Sequence, residues 1–188
     1  MGVRFEVFPD LLAEFLPTIP SVVISTDSLA ELLYLTATLN STVMSDLYTQ
    51  LHASNAMSGG YLTFTADRVG SLPYVPYDPL NKSMSALVEH AVLLVELLPK
   101  ELKLNRDLLR FLVESYGLKP SREMSREILS VKFDLVKSRL PRSVSVKTVK
   151  EISDIFQEHQ LQFNALRVKT QKTRLRIEEL VTEVYTLP

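Results

Sequence analysis

From Val149 to the C-terminus, apolar side chains recur at alternating three- and four-residue steps. The series is Val149, Ile152, Phe156, His159, Phe163, Leu166, Thr170, Thr173, Ile177, Leu180, Val184 and Leu187. Nine of these twelve positions are apolar. Such a seam predicts one long helix burying a single stripe against another helix. A helix running from Val146 to Leu187 spans ~60 Å at 1.5 Å per residue. Thr148 and Glu151 form a capping-box pair at its start. Leu161, Val168 and Leu175 form a second apolar line on the opposite side, which predicts that the helix packs its back on the protein there.

The same periodicity predicts five further helices. A brief one covers Asp10–Leu16. Ser28 and Glu31 form a capping box for a helix over 28–53. Met84, Leu87, Val88, Ala91, Leu94, Val95 and Leu98 line one face of a helix that Asp78-Pro79 caps and Pro99 ends. A shorter helix over Asn105–Tyr116 closes at Gly117, and one over 122–140 starts at Ser121. Alternating or β-rich runs at Val3–Val7, Ser21–Ile24 and Tyr61–Thr65 predict two or three short strands. Between them and the central helices lies Leu72-Pro-Tyr-Val-Pro-Tyr-Asp-Pro79. Its prolines favour polyproline II, read either as a docking segment or as a connector whose Tyr74 and Tyr77 pack on the domain. The connector is preferred. The predicted fold is mainly α, a helical bundle with a coiled-coil-like C-terminal helix and short N-terminal strands. Residues 1–140 make the globular domain and 145–188 the long helix.

Composition narrows the function. Hydrophobic residues make up 46% of 188 positions, enough for a core. Zero cysteines exclude thiol catalysis, Cys-ligated zinc and disulfides within the sequence. The three histidines, His52, His90 and His159, lack metal-ligand spacing. His159 lies in the seam, where a polar residue sets register or titrates. Gly59-Gly60 fits neither a P-loop nor a dinucleotide fingerprint. Glu178-Glu179 and the Asp10/Glu14 pair have the look of solvated faces, and no serine sits in a nucleophile elbow. The expectation is no enzyme, no cofactor and no small-molecule substrate. No apolar run reaches membrane-spanning length and the first ten residues lack a signal-peptide pattern, so the expected compartment is intracellular.

Charge is unevenly placed. Residues 1–99 carry three bases against ten acids, and residues 100–188 eighteen against twelve. The excess concentrates where the seam lapses to Thr170 and Thr173. No acid lies between Gln160 and Ile177, whereas Arg167, Lys169, Lys172, Arg174 and Arg176 all do. Bases with the two threonine hydroxyls between them suit nucleic-acid phosphates, with Lys132, Arg139, Arg142 and Lys150 extending the track. An acidic protein surface is the competing partner. Residues 108–129 add a helix, turn and helix in which Gly117, Leu118, Arg122 and Arg126 resemble in outline helix-turn-helix and SAP-type DNA-binding motifs. Glu123 departs from that outline where an apolar residue is expected, and a plain pair of antiparallel helices reads the segment as well.

Two functions follow as expectations. The first is a non-enzymatic subunit of a nucleoprotein assembly. Its seam residues Val149, Ile152, Phe156, Phe163, Leu166, Ile177, Leu180 and Val184 build a homo- or hetero-oligomer, while the five bases hold the backbone of RNA or DNA. The second is a coiled-coil scaffold or adaptor in a multiprotein complex with no nucleic-acid contact.

Overall fold

Two long helices dominate the described residues, because their buried stripes continue past Pro99 in one and through Thr170 and Thr173 in the other. The computed structural model describes residues 26–53 and 65–186. In order these form α1 (Leu29–Leu39), α2 (Thr42–His52), α3 (Ala66–Gly70), α4 (Lys82–Tyr116), α5 (Arg122–Glu127), a 3-10 turn (Ile128–Ser130), α6 (Phe133–Ser138) and α7 (Val146–Thr186). The described residues are helical with no strand, so the fold is mainly α and the expected N-terminal strands are not seen. Val3–Val7, Ser21–Ile24 and the helix expected at Asp10–Leu16 lie outside the described residues. Of Tyr61–Thr65 only Thr65 is described, and it is the N-cap of α3, its side chain accepting from the Arg68 N–H.

The chain groups into two compact units, one of Met1–Leu93 with Thr173–Pro188 and one of Leu94–Lys172. Helices α4 and α7 contribute residues to both. This grouping cuts across the division at 140–145 read from the sequence.

Pro99 does not end its helix. Helix α4 runs 35 residues with Pro99 inside it. An internal proline removes one backbone bond and costs about 3 kcal/mol. The buried positions continue past it through Asn105, Leu108 and Leu112, and their burial outweighs that cost. The start also shifts. Asn81, rather than Asp78, caps α4, its Oδ1 accepting from Ser83 N at 3.0 Å and Met84 N at 3.2 Å. Asp78 instead closes a local turn by accepting from Leu80 N at 2.9 Å.

The helix expected over 28–53 is two helices. Ser28 caps the first, accepting from the Glu31 N–H at 3.3 Å. The break falls at Asn40-Ser41, where side chains compete for the backbone. Asn40 Nδ2 donates to Thr36 O at 2.9 Å, and Ser41 Oγ donates to Thr38 O at 2.6 Å while accepting from Met44 N at 3.2 Å. Glu178 of α7 completes the second N-terminus. Its carboxylate accepts from Thr42 N at 2.9 Å and Thr42 Oγ1 at 2.7 Å, placing negative charge at the positive end of α2.

The proline-rich segment in the first unit is a connector held by tyrosines. Tyr34 Oη donates to Val75 O at 3.0 Å, and Val75 N donates to Tyr185 Oη at 3.5 Å. The Tyr34 and Tyr77 rings lie 5.6 Å apart, and Leu72 is buried with Leu39, Met44 and Tyr48. Burial, then the neighbouring Tyr185, raises the Tyr34 phenol well above its ordinary range, and burial raises Tyr185 too. Tyr74 Oη donates to Glu31 at 2.7 Å. Thr26 and then Tyr74, by hydrogen bonding, hold the Glu31 carboxyl below its usual value.

In the second unit Gly117 ends α4 at φ 66°, with Gly117 N donating to Val113 O at 3.0 Å. Only glycine takes this left-handed cap without cost. Ser121 then caps α5 by accepting from Met124 N at 3.3 Å. The helix expected over 122–140 is broken at Leu129 because neighbouring helices take its backbone. Leu129 N donates to Asn105 Oδ1 of α4 at 3.0 Å, and Leu129 O accepts from Gln160 Nε2 of α7 at 3.2 Å.

Candidate protein-docking face on the last helix

Helix α7 is 41 residues long, and its N-cap is Ser145, which accepts from Thr148 N at 3.1 Å. Its seam is closed by this chain. Ile152, Phe156 and Phe163 are buried in one cluster with Leu108, Leu112, Leu118, Met124, Ile128 and Val136. The Phe133 and Phe156 rings are 5.5 Å apart. Ile177, Leu180 and Val184 are also buried, while Val149 and Leu166 are half-buried. The sequence reads these eight residues as a partner interface, with closure within the chain left open. Six of them are instead core, because helices of the same chain cover the stripe. Half-buried His159 turns its Nδ1 to Ile155 O, 2.9 Å away in the same helix.

The two seam threonines face inward as well. Thr170 and Thr173 are buried, and Thr170 Oγ1 donates to the Glu101 carboxylate. The phosphate strip with hydroxyl donors among its bases is therefore not present: the hydroxyls lie on the opposite side from solvent.

All five bases of the saddle are exposed. At 100° per residue they fall on two flanks, Arg167 and Arg174 on one, Lys169, Lys172 and Arg176 on the other. Between the flanks, facing away from the seam, stands the second apolar line. Leu161 is 72% exposed, Val168 52% and Leu175 62%. This corrects the expectation that the line packs on the protein. Seam and line are diametrically opposed, so a helix that buries the seam in its own chain presents the line to solvent.

The bases differ in their engagement. Arg167 Nη1 donates to Ser130 Oγ at 2.8 Å, lies 3.6 Å from Glu127 and stands over the Phe163 ring. Arg176 pairs with Glu179 at 2.8 Å and Glu183 at 3.6 Å, and the bond to Glu179 raises its pKa. Among the described residues Lys172 and Arg174 make no ion pair. Of the proposed track, Lys132 and Arg139 flank α6 as its N-cap and C-cap, Arg142 follows in the loop and Lys150 lies at the start of α7, all four exposed.

The helix-turn-helix outline fares differently. Arg122 and Arg126 are exposed on α5, but α5 has six residues and alternates them with Glu123 and Glu127 around one shallow recess. This helix is ~9 Å long and carries two bases and two acids. Among the described residues no cluster of three metal-ligating side chains exists, and no helix is long and apolar enough to cross a membrane.

Composition and periodicity missed Glu178 and Asn105, whose partners lie 136 and 24 residues away. No local signal marks such pairs. Compared with known proteins, the chain matches no family model, no curated protein and no solved structure.

Proposed function

We propose that this chain is a non-enzymatic helical scaffold or adaptor subunit, and that the outward side of α7 is its docking face for an acidic amphipathic helix. The observation that carries the reading is the exposed line Leu161, Val168 and Leu175, repeating every seven residues between rows of bases. A seven-residue apolar repeat is the periodicity one helix offers another, and flanking charges choose the partner and its direction. Phosphate backbone has no use for three exposed aliphatics, and the threonine hydroxyls that favoured it are buried.

Magnitudes set the expected strength. Burying a whole aliphatic side chain contributes about 1.5–3 kcal/mol. Three side chains already partly covered supply on the order of 3–4 kcal/mol before ordering costs. The contact is therefore weak, and long-range charge attraction matters to it. A second reading, binding of nucleic-acid backbone along the same face, is favoured by the five exposed bases in an acid-free stretch.

Fluorescence anisotropy separates the two. A labelled helical peptide with leucine every seventh residue and glutamate on both flanks is titrated beside labelled single-stranded and duplex oligonucleotides. Peptide binding that is lost in Leu161→Ser/Val168→Ser/Leu175→Ser supports the adaptor. Oligonucleotide binding that survives this triple change, with no peptide binding, refutes it in favour of the nucleoprotein reading.

A further inference from the structure

We infer that the helix received by the outward face of α7 belongs to a second copy of this chain, and that it is the outward face of α4 between Lys82 and Lys100. The inference rests on the reading of α7 as a docking face and names its occupant.

The two surfaces are opposite in charge and alike in spacing. Between Lys82 and Lys100 helix α4 has no base, and its acids Glu89 and Glu96 are exposed. Beside them Val92 is 39% exposed and Leu93 43%. Between Gln160 and Ile177 helix α7 has no acid and five bases. Glu89 and Glu96 are seven residues apart, as are Arg167 and Arg174, and Lys169 and Arg176. Seven residues is two turns, ~10.5 Å, so helices lying side by side match two carboxylates to two bases in one register. In that register Leu93, on one side of the Glu89 and Glu96 row, reaches the Val168–Leu175 stretch of the apolar line.

The contact joins α4 of one copy to α7 of another. Across a two-fold axis it is made twice and closes as an isologous pair; without that axis it is heterologous and propagates. Its area is one short helix crossing, below that of stable dimers, so association depends on concentration and salt.

Sedimentation velocity of the full chain over a concentration series tests it. The expected result is a weight-average coefficient that climbs with concentration at about 50 mM salt and falls back at about 500 mM, where charges are screened beyond ~5 Å. Glu89→Lys/Glu96→Lys and Lys172→Glu/Arg174→Glu each abolish the climb. An equimolar mixture of the two restores it, because each variant then offers the charge the other needs. All four positions are exposed, so far-UV circular dichroism melts of both variants should match the parent, which excludes misfolding as the cause. A parent that stays monomeric throughout overturns the inference, as does association unchanged in either variant or a mixture that stays monomeric. The acidic peptide distinguishes the two levels. A monomeric parent that binds the peptide removes the second copy and keeps the docking face, whereas one that binds neither removes both.

Discussion

Phe156→Ala discriminates a seam closed within the chain from one awaiting a partner. Phe156 is 1% exposed, lies in the cluster with Leu108, Leu112 and Ile128, and meets the Phe133 ring at 5.5 Å. Truncating a fully buried phenylalanine removes its transfer free energy and leaves a cavity that neighbours fill only in part, at about 3–5 kcal/mol. The aromatic pair with Phe133 adds about 0.5–1.5 kcal/mol within that range. Urea unfolding followed by circular dichroism, at about 500 mM salt to suppress charge-dependent self-association and over a hundredfold range of protein concentration, reads the loss. The midpoint should fall by an amount equivalent to about 3–5 kcal/mol and be the same at every concentration. Leu161→Ala, at a position 72% exposed, should stay within about 0.5 kcal/mol of the parent. A loss below about 1 kcal/mol for Phe156→Ala, or one that varies with protein concentration, refutes the intrachain seam.

Other substitutions test the contacts that shape each unit. Asn105→Ala leaves the buried Leu129 N–H without its acceptor and should cost about 1–3 kcal/mol in the same urea assay, with hydrogen exchange at Leu129 accelerated. Glu178→Ala removes the acceptor at the start of α2 and should cost about 1 kcal/mol, whereas Glu179→Ala removes a surface ion pair and should cost less. Gly117→Ala forces an L side chain to φ 66° and should cost about 1–2 kcal/mol, all of it backbone strain, since the added Cβ meets Pro141 Cγ at an ordinary 3.4 Å. Tyr34 and Tyr185 ionise above the ordinary 10.0. Their raised folded pKa values stabilise the fold fully below pH ~10 and progressively less as pH rises beyond it. Urea midpoints should therefore fall above pH ~10, and less steeply in Tyr34→Phe.

What the sequence reveals depends on whether the cause is local. The α7 seam is legible because every third or fourth residue shares one environment: eight of its positions from Ile152 to Val184 are buried. Ser28, Ser121 and Gly117 cap where a cap is expected, since capping is decided within three or four residues. Some errors are local, as where Asn81 caps α4 in place of Asp78 and Asn40-Ser41 splits the first helix. Others are tertiary. Pro99 reads as a stop, yet the apolar face on both sides of it carries the helix through. The break at Leu129 comes from Asn105 and Gln160, distant in sequence. At the candidate site the five bases were visible as a cluster. Which way they face was not, because a helix with two apolar lines has two ways to be buried. The periodicity alone leaves open whether Thr170 or Val168 meets water.

Thiol reactivity on a cysteine-free chain resolves that choice and tests the docking face at once. Val168→Cys and Thr170→Cys are made separately in the full chain, and their rates with a thiol reagent are measured with and without the acidic helical peptide. Val168→Cys should react fast and be slowed by the peptide, whereas Thr170→Cys should react slowly at a rate the peptide leaves unchanged. A Thr170→Cys variant that reacts as fast as Val168→Cys, or a Val168→Cys variant the peptide never protects, contradicts this reading.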